Sequence, residues 1–323
     1  MMGALRSLTV TQQVGLLFVT LFGLLSLVTI VAFSRTFREG TPERQAALDR
    51  FRRELRPVWA TAVLFWIAWA SGALVSTLLF GVVSFLALRE FVTLTHTRRG
   101  DHRSLLLAFF VVLPLQYVLV GSRFFNLFTV FIPVYVFLAI PVLSALANDP
   151  QRFLERTAKI QWGITVTVYG MSHAPALLLL DLPNYEGRGA FLVLYFVAVV
   201  ASAHIAQLLT ARRLRRRPVA RAISRWFSWQ SWLAGVGVGG VVGLLLYWAT
   251  PFKPLPAVAM GMIAGGTGLL GEFVMQALKR DAGVRSWSGK ASVTGAVGLL
   301  DRVAPLCFAA PVFFHAVRWY FGV

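Results

Sequence analysis

Apolar runs of nearly 20 residues recur along the whole chain, and a helix of that length crosses about 30 Å of hydrocarbon. A soluble fold would have to bury all of these runs in one interior. With 57% apolar and only 14% charged residues, and a mean hydropathy of +0.70, the chain falls well short of the roughly one-quarter charged content of soluble domains. The sequence therefore predicts an all-α polytopic membrane protein of about ten transmembrane helices. The spans are expected at about 14–33, 58–72, 74–90, 104–120, 124–147, 160–180, 189–210, 230–249, 257–278 and 303–321.

A formal charge of +18 invites a nucleic-acid reading, but the placement of the 31 Lys and Arg argues for topology. Alternating the spans puts 26 of them on one face and leaves Arg6, Arg123, Arg188, Lys253 and Arg318 on the other. By the positive-inside rule the rich face is cytoplasmic, which implies an integral protein of a bacterial inner membrane. Attraction to anionic lipid headgroups accounts for the remaining basic character, and no nucleic-acid partner is needed. The single cysteine, Cys307, rules out an intramolecular disulfide and a cysteine-cluster metal site.

Four regions follow from the pattern. Residues 1–57 hold an anchor helix and a polar helix over 41–55, capped by Thr41-Pro42 and suited to the cytoplasmic surface. Residues 58–210 form a transmembrane region. The run from Pro57 to Phe91 exceeds one span and has Ser71-Gly72 near its middle, so two short helices in a hairpin are expected. Pro133 and Pro141 should kink the fifth span, and Gly170-Met171-Ser172-His173-Ala174-Pro175 interrupts the sixth. His173 and His204, ionisable residues within spans, are candidates for function or for helix-to-helix hydrogen bonding. Residues 211–229 form a basic cytoplasmic loop, densest from Arg212 to Arg217. Residues 230–323 form the C-terminal region, where Gly235 to Gly240 and Gly261 to Gly271 supply glycines for close helix packing rather than for cradling phosphate.

Within that last region, the apolar run ending at Lys279-Arg280 is followed by Gly283 and then by Asp301-Arg302 at the head of the next span. Charges thus collect where two spans meet water, forming a polar pocket on the cytoplasmic side. Lys279, Arg280 and Arg302 suit a phosphate, and Glu272 with Asp301 suits a divalent cation, because hard cations prefer carboxylate oxygens.

The order of these parts resembles the CDP-diacylglycerol synthases, or phosphatidate cytidylyltransferases. Their signature runs G-D-x-x-x-S-x-x-K-R-x-x-G-x-K-D, then P-G-H-G-G-x-x-D-R-x-D. The chain offers Gly271-Glu272, Lys279-Arg280 and Gly283, then Gly295-Ala296-Val297-Gly298-Leu299-Leu300-Asp301-Arg302, with the likeness best over 257–310. It departs at Gln276, Arg285, Ser286, Ala296 and Ala304, which stand where the family has serine, lysine, acid, histidine and acid. Upstream, Ala203-His204 stands for the family's N-D pair, and Ser224-Arg225-Trp226-Phe227-Ser228-Trp229-Gln230-Ser231 for a loop resembling S-P-x-K-T-W-E-G.

The resemblance implies a synthase-type bundle, CTP and phosphatidate as substrates, and Mg²⁺ as cofactor. Asp301 and Glu272 would be catalytic and metal-binding, with Asp281 as a third ligand. Lys279, Arg280, Arg302 and Arg285 would contact the phosphates of phosphatidate or another anionic phospholipid. The thinned carboxylate set keeps a second reading open: a homologue without turnover that binds phospholipid, a second copy of itself or a membrane-protein partner. A transporter, suggested by the interrupted sixth span, is a third.

Overall fold

The computed structural model describes residues 9–34, 45, 59, 63, 66–67, 71–95, 97–183, 185–214, 217–284 and 298–323. The surface helix expected over 41–55 lies outside the described residues except for Gln45, as do most of the short span at 58–72, Arg285 and the glycine-containing stretch 295–297. Every described element is helical, and among the described residues there is no strand. The chain divides into two compact units, Met1–Ser76 and Thr77–Val323.

The first unit carries α1, Val10–Ser34, an apolar helix. Its Thr29 hydroxyl accepts a hydrogen bond from the indole Nε1 of Trp59 at 3.0 Å, and Phe22 packs at 5.6 Å from the Trp59 ring and 6.2 Å from the Trp66 ring. Helix α2, Gly72–Leu94, opens at the expected break: Gly72 has φ +81°, in the left-handed region that glycine enters without a Cβ clash.

In the second unit α2 is followed by α3 (Arg99–Gly121), α4 (Phe125–Ala145), α5 (153–179), α6 (Gly189–Leu214), α7 (Trp229–Leu245), α8 (Pro254–Asp281) and α9 (Leu299–Phe321). Among the described residues, six helices, α2, α3, α4, α6, α8 and α9, are long and apolar enough to cross a membrane. Helix α7 has 17 residues and ends four positions before the expected boundary, where a 3₁₀ turn, Tyr247–Ala249, takes over ahead of Pro251 and Pro254. The expected kink in α4 takes the form of a π turn, Phe131–Val136, containing Pro133. Further π turns lie within α3 (Ala108–Val112) and α5 (Thr165–Gly170). The irregularity expected at 170–175 thus falls on residues ending at Gly170, and the run Met171–Leu179 containing His173 and Pro175 is regular helix.

Helices α6 to α9 pack through small residues. A Cβ on Gly261 would lie 2.5 Å from the carbonyl oxygen of Gly239, and one on Gly271 would lie 2.2 Å from Cβ of Phe308. These glycines let α8 approach α7 on one side and α9 on the other more closely than any larger residue allows. Short polar side chains tie the earlier helices: Ser84 Oγ donates to the Thr167 carbonyl at 2.6 Å, the Ser104 and Ser144 hydroxyls meet at 3.0 Å, and Gln116 Nε2 donates to Ser172 Oγ at 3.2 Å.

Contacts also assign the loops to two ends of this unit. At one end Arg98 donates to Gln151 at 2.8 Å, linking the approach to α3 with the approach to α5. Glu90 at the close of α2 reaches the first residues of α9, and Phe227 before α7 stacks on Phe273 of α8. At the opposite end Arg123 pairs with Asp181, and Arg318 donates to Asn126 Oδ1 at 3.1 Å. The described basic residues of 89–103, 152–159, 212–225 and 279–302 thus share the first end, while the segment 35–57 lies outside the described residues apart from Gln45.

Candidate functional site

The corner between α8 and α9 is built by local chain chemistry. Helix α8 closes on Gly283 with φ +68°: the Val284 N–H donates to the Lys279 carbonyl at 3.0 Å and the Gly283 N–H to the Arg280 carbonyl at 3.1 Å. This pair of bonds is the Schellman arrangement, which satisfies terminal carbonyls and turns the chain back. Helix α9 opens after Gly298, φ +74°.

Across this corner Lys279 Nζ donates to Asp301 Oδ1 at 2.7 Å, with the two side chains 16% and 24% exposed. The two residues placed in the pocket from opposite sides of the sequence gap therefore meet. Arg280, Asp281 and Arg302 are exposed at the same corner. Glu272 lies two turns back along α8 and accepts from Gln276 Nε2 at 3.1 Å; the glutamine that replaces the family's serine holds the nearby carboxylate.

The basic loop joins this corner. Phe227 stacks on Phe273, the neighbour of Glu272, with ring centres 4.3 Å apart. Trp232 Nε1 donates to the Gly266 carbonyl at 3.1 Å. Ser228 caps α7 by accepting from the Ser231 N–H at 3.2 Å. Beside it Arg217, Val219, Ser228, Trp229 and Gln230 line an open pocket of about 450 Å³, and the Arg212 guanidinium lies 5.8 Å from the Trp226 ring centre.

His173 is elsewhere. It is fully buried in α5, its Nδ1–H donating to the Tyr169 carbonyl at 2.7 Å, between the rings of Phe128 at 4.6 Å and Tyr169 at 4.5 Å. His204 sits on α6, and its Nδ1 has no hydrogen-bond partner among the described residues. Neither contacts the Lys279–Asp301 pair.

Among the described residues no three His, Cys, Asp or Glu side chains cluster, and Asp301 gives one oxygen to Lys279. These residues alone do not complete a hard-cation site, which takes several oxygens. What the corner offers is cationic side chains and one oriented carboxylate.

The family model for cytidylyltransferases matches residues 52–320. The chain belongs to the cytidylyltransferase family. It is 36% identical to the uncharacterized protein YnbB of Escherichia coli over 303 residues, 93% of this chain and 97% of the relative. It is also 36% identical to a phosphatidate cytidylyltransferase of Synechocystis over 87 residues, 26% of this chain and 29% of that enzyme. For a cytidylyltransferase relative, sequence reading finds Lys279 and Asp301 because they stand next to recognisable helix ends. It passes over Glu90, which looks like one more charge at a span boundary.

Proposed function

We propose that the chain is a phosphatidate cytidylyltransferase: it joins CTP to phosphatidate, releasing pyrophosphate and forming CDP-diacylglycerol. The observation that carries this reading is the Lys279–Asp301 pair at the α8–α9 corner of a cytidylyltransferase-family chain. A phosphatidate phosphate oxygen attacks the α-phosphorus of CTP, and the bond from that phosphorus to the bridging oxygen of the β-phosphate breaks. Lys279, Arg280, Arg302 and Arg285 bind and orient the phosphates, since guanidinium and ammonium donors match phosphate oxygens. Asp301 holds the Lys279 ammonium in place, and Glu272 lies one helical stretch behind. The proposal includes about ten spans in a bacterial inner membrane, with this corner cytoplasmic because the basic end of the bundle faces inward. Mg²⁺ belongs to the assay as the expected cofactor.

The test is pyrophosphate release by purified protein given CTP, phosphatidate and Mg²⁺. Release that falls at least about a hundredfold in Asp301→Ala is expected, the scale on which oriented charge acts in phosphoryl chemistry. No release from folded protein overturns the reading.

One observation favours a second reading, a phospholipid-binding homologue without turnover: the described residues lack a three-ligand cluster, and Asp301 is engaged by Lys279. It expects binding to phosphatidate nanodiscs that weakens in Lys279→Ala and does not respond to CTP.

A further inference from the structure

Glu90 has a role that its position in the sequence conceals. The residue is 4% exposed, and it lies near the end of α2. Oε2 accepts from the Leu299 N–H at 3.1 Å and Oε1 from the Leu300 N–H at 3.3 Å, across more than 200 residues of chain. Leu299 and Leu300 are the first two residues of α9, and the preceding Gly298 has no side chain with which to cap the helix. The first N–H groups of a helix have no partner within it, and they carry the positive end of the helix dipole. A buried carboxylate supplies both the missing acceptors and the matching charge. Around it the packing is apolar: Phe91, the neighbour of Glu90, shares a buried cluster with Met275 of α8 and with Leu300 and Ala304 of α9.

Asp301 is the next residue along α9. Its approach to Lys279 at 2.7 Å depends on where α9 begins and how its first turn is rotated. We propose that Glu90 is a positioning residue for the α8–α9 corner: by clasping the first amides of α9 it sets Asp301 against Lys279. It also fills that helix N-terminus with an internal anion, so a substrate phosphate must be held by the Lys and Arg side chains rather than by the amides. The catalytic part of this inference rests on the proposed function; the geometric part does not.

The experiment uses full-length protein in detergent and reads the acetylation rate of individual lysines by mass spectrometry, with an amine-selective acetylating reagent. In Glu90→Ala the Lys279 ammonium loses its fixed partner and its rate rises about fivefold, the size expected for a partly exposed ion pair of about 1 kcal/mol, while Lys253 at the far end does not change. Asp301→Ala raises Lys279 to the same level, and the double variant goes no higher, because both act on one contact. Glu90→Gln keeps one carbonyl acceptor and gives an intermediate rate, which covers the case in which Glu90→Ala does not fold. In pyrophosphate release Glu90→Ala lowers kcat about tenfold and leaves the KM for CTP unchanged. Unaltered Lys279 reactivity in both Glu90 variants overturns the inference, as does an equal rise at Lys253, which reports general loosening. Wild-type protein that releases no pyrophosphate but shows the Glu90-dependent rise removes the proposed function and leaves the positioning role standing.

Discussion

Arg156 and Lys279 are both basic residues at span boundaries, and their surroundings set them apart. Arg156 stands between Arg152 and Lys159 in a segment whose charges read as topology signals. Its side chain is nevertheless 4% exposed, with Nε 2.7 Å from Asp101 Oδ1 and a second nitrogen 2.8 Å from Asp149 Oδ2. The same guanidinium donates to the Gln151 carbonyl at 2.8 Å. Removing one partner of a buried pair leaves the other charge uncompensated, so Arg156→Ala should cost about 3–5 kcal/mol and visibly lower the thermal unfolding midpoint in detergent. Arg156→Lys should recover little, because one ammonium cannot reproduce a planar fork that serves acceptors on three residues. Lys279 and Asp301, four to six times more exposed, contribute little to stability by comparison. Asp301→Ala should therefore unfold within a few degrees of the parent while losing pyrophosphate release; equal losses in both would mean that the pair is structural.

At the scale of elements, the glycine runs and the proline positions were legible in the sequence, because packing by small residues and the loss of a backbone donor are local properties. Their consequences depend on the neighbour. Gly237 and Gly261 look alike in sequence, yet a Cβ on Gly237 would meet nothing within 4 Å, whereas one on Gly261 would strike the Gly239 carbonyl at 2.5 Å. Gly261→Ala should force α7 and α8 apart at a cost of about 1–3 kcal/mol, and Gly237→Ala should be neutral or slightly stabilising through helix propensity. Chemical or thermal unfolding of the two variants side by side checks this. The π turns in α4 and α5 were not legible: a proline announces that a bond is missing, but not whether the helix breaks or takes up an extra residue. That choice is made by what packs around it, and for α5 it turns an expected interruption at His173 into regular helix.

For the whole molecule, the cytidylyltransferase family membership and the two-ended distribution of charge make one testable picture. In a Cys307→Ser background, Arg225→Cys should react with a membrane-impermeant thiol reagent only after the cells are opened, and Lys253→Cys should react from outside. The reverse pattern would turn the α8–α9 corner away from cytoplasmic CTP and remove the proposed reaction. Cys307 itself is 3% exposed and should react in neither case.

Hydropathy, charge asymmetry and the spacing of Lys279-Arg280, Gly283 and Asp301-Arg302 were enough to indicate an all-helical membrane chain of cytidylyltransferase type and to place Lys279 and Asp301 at one corner, though as a phosphate contact and a cation ligand rather than as partners of each other. Each of these is a local signal, carried by neighbours in sequence. The clasp of Glu90 on α9, the burial of Arg156 against Asp101 and the stacking of Phe227 on Phe273 were decided only by the tertiary structure. They join residues from about 50 to more than 200 positions apart. Nothing in the sequence near a glutamate or an arginine tells which distant helix end will bury it, because that depends on how whole helices pack.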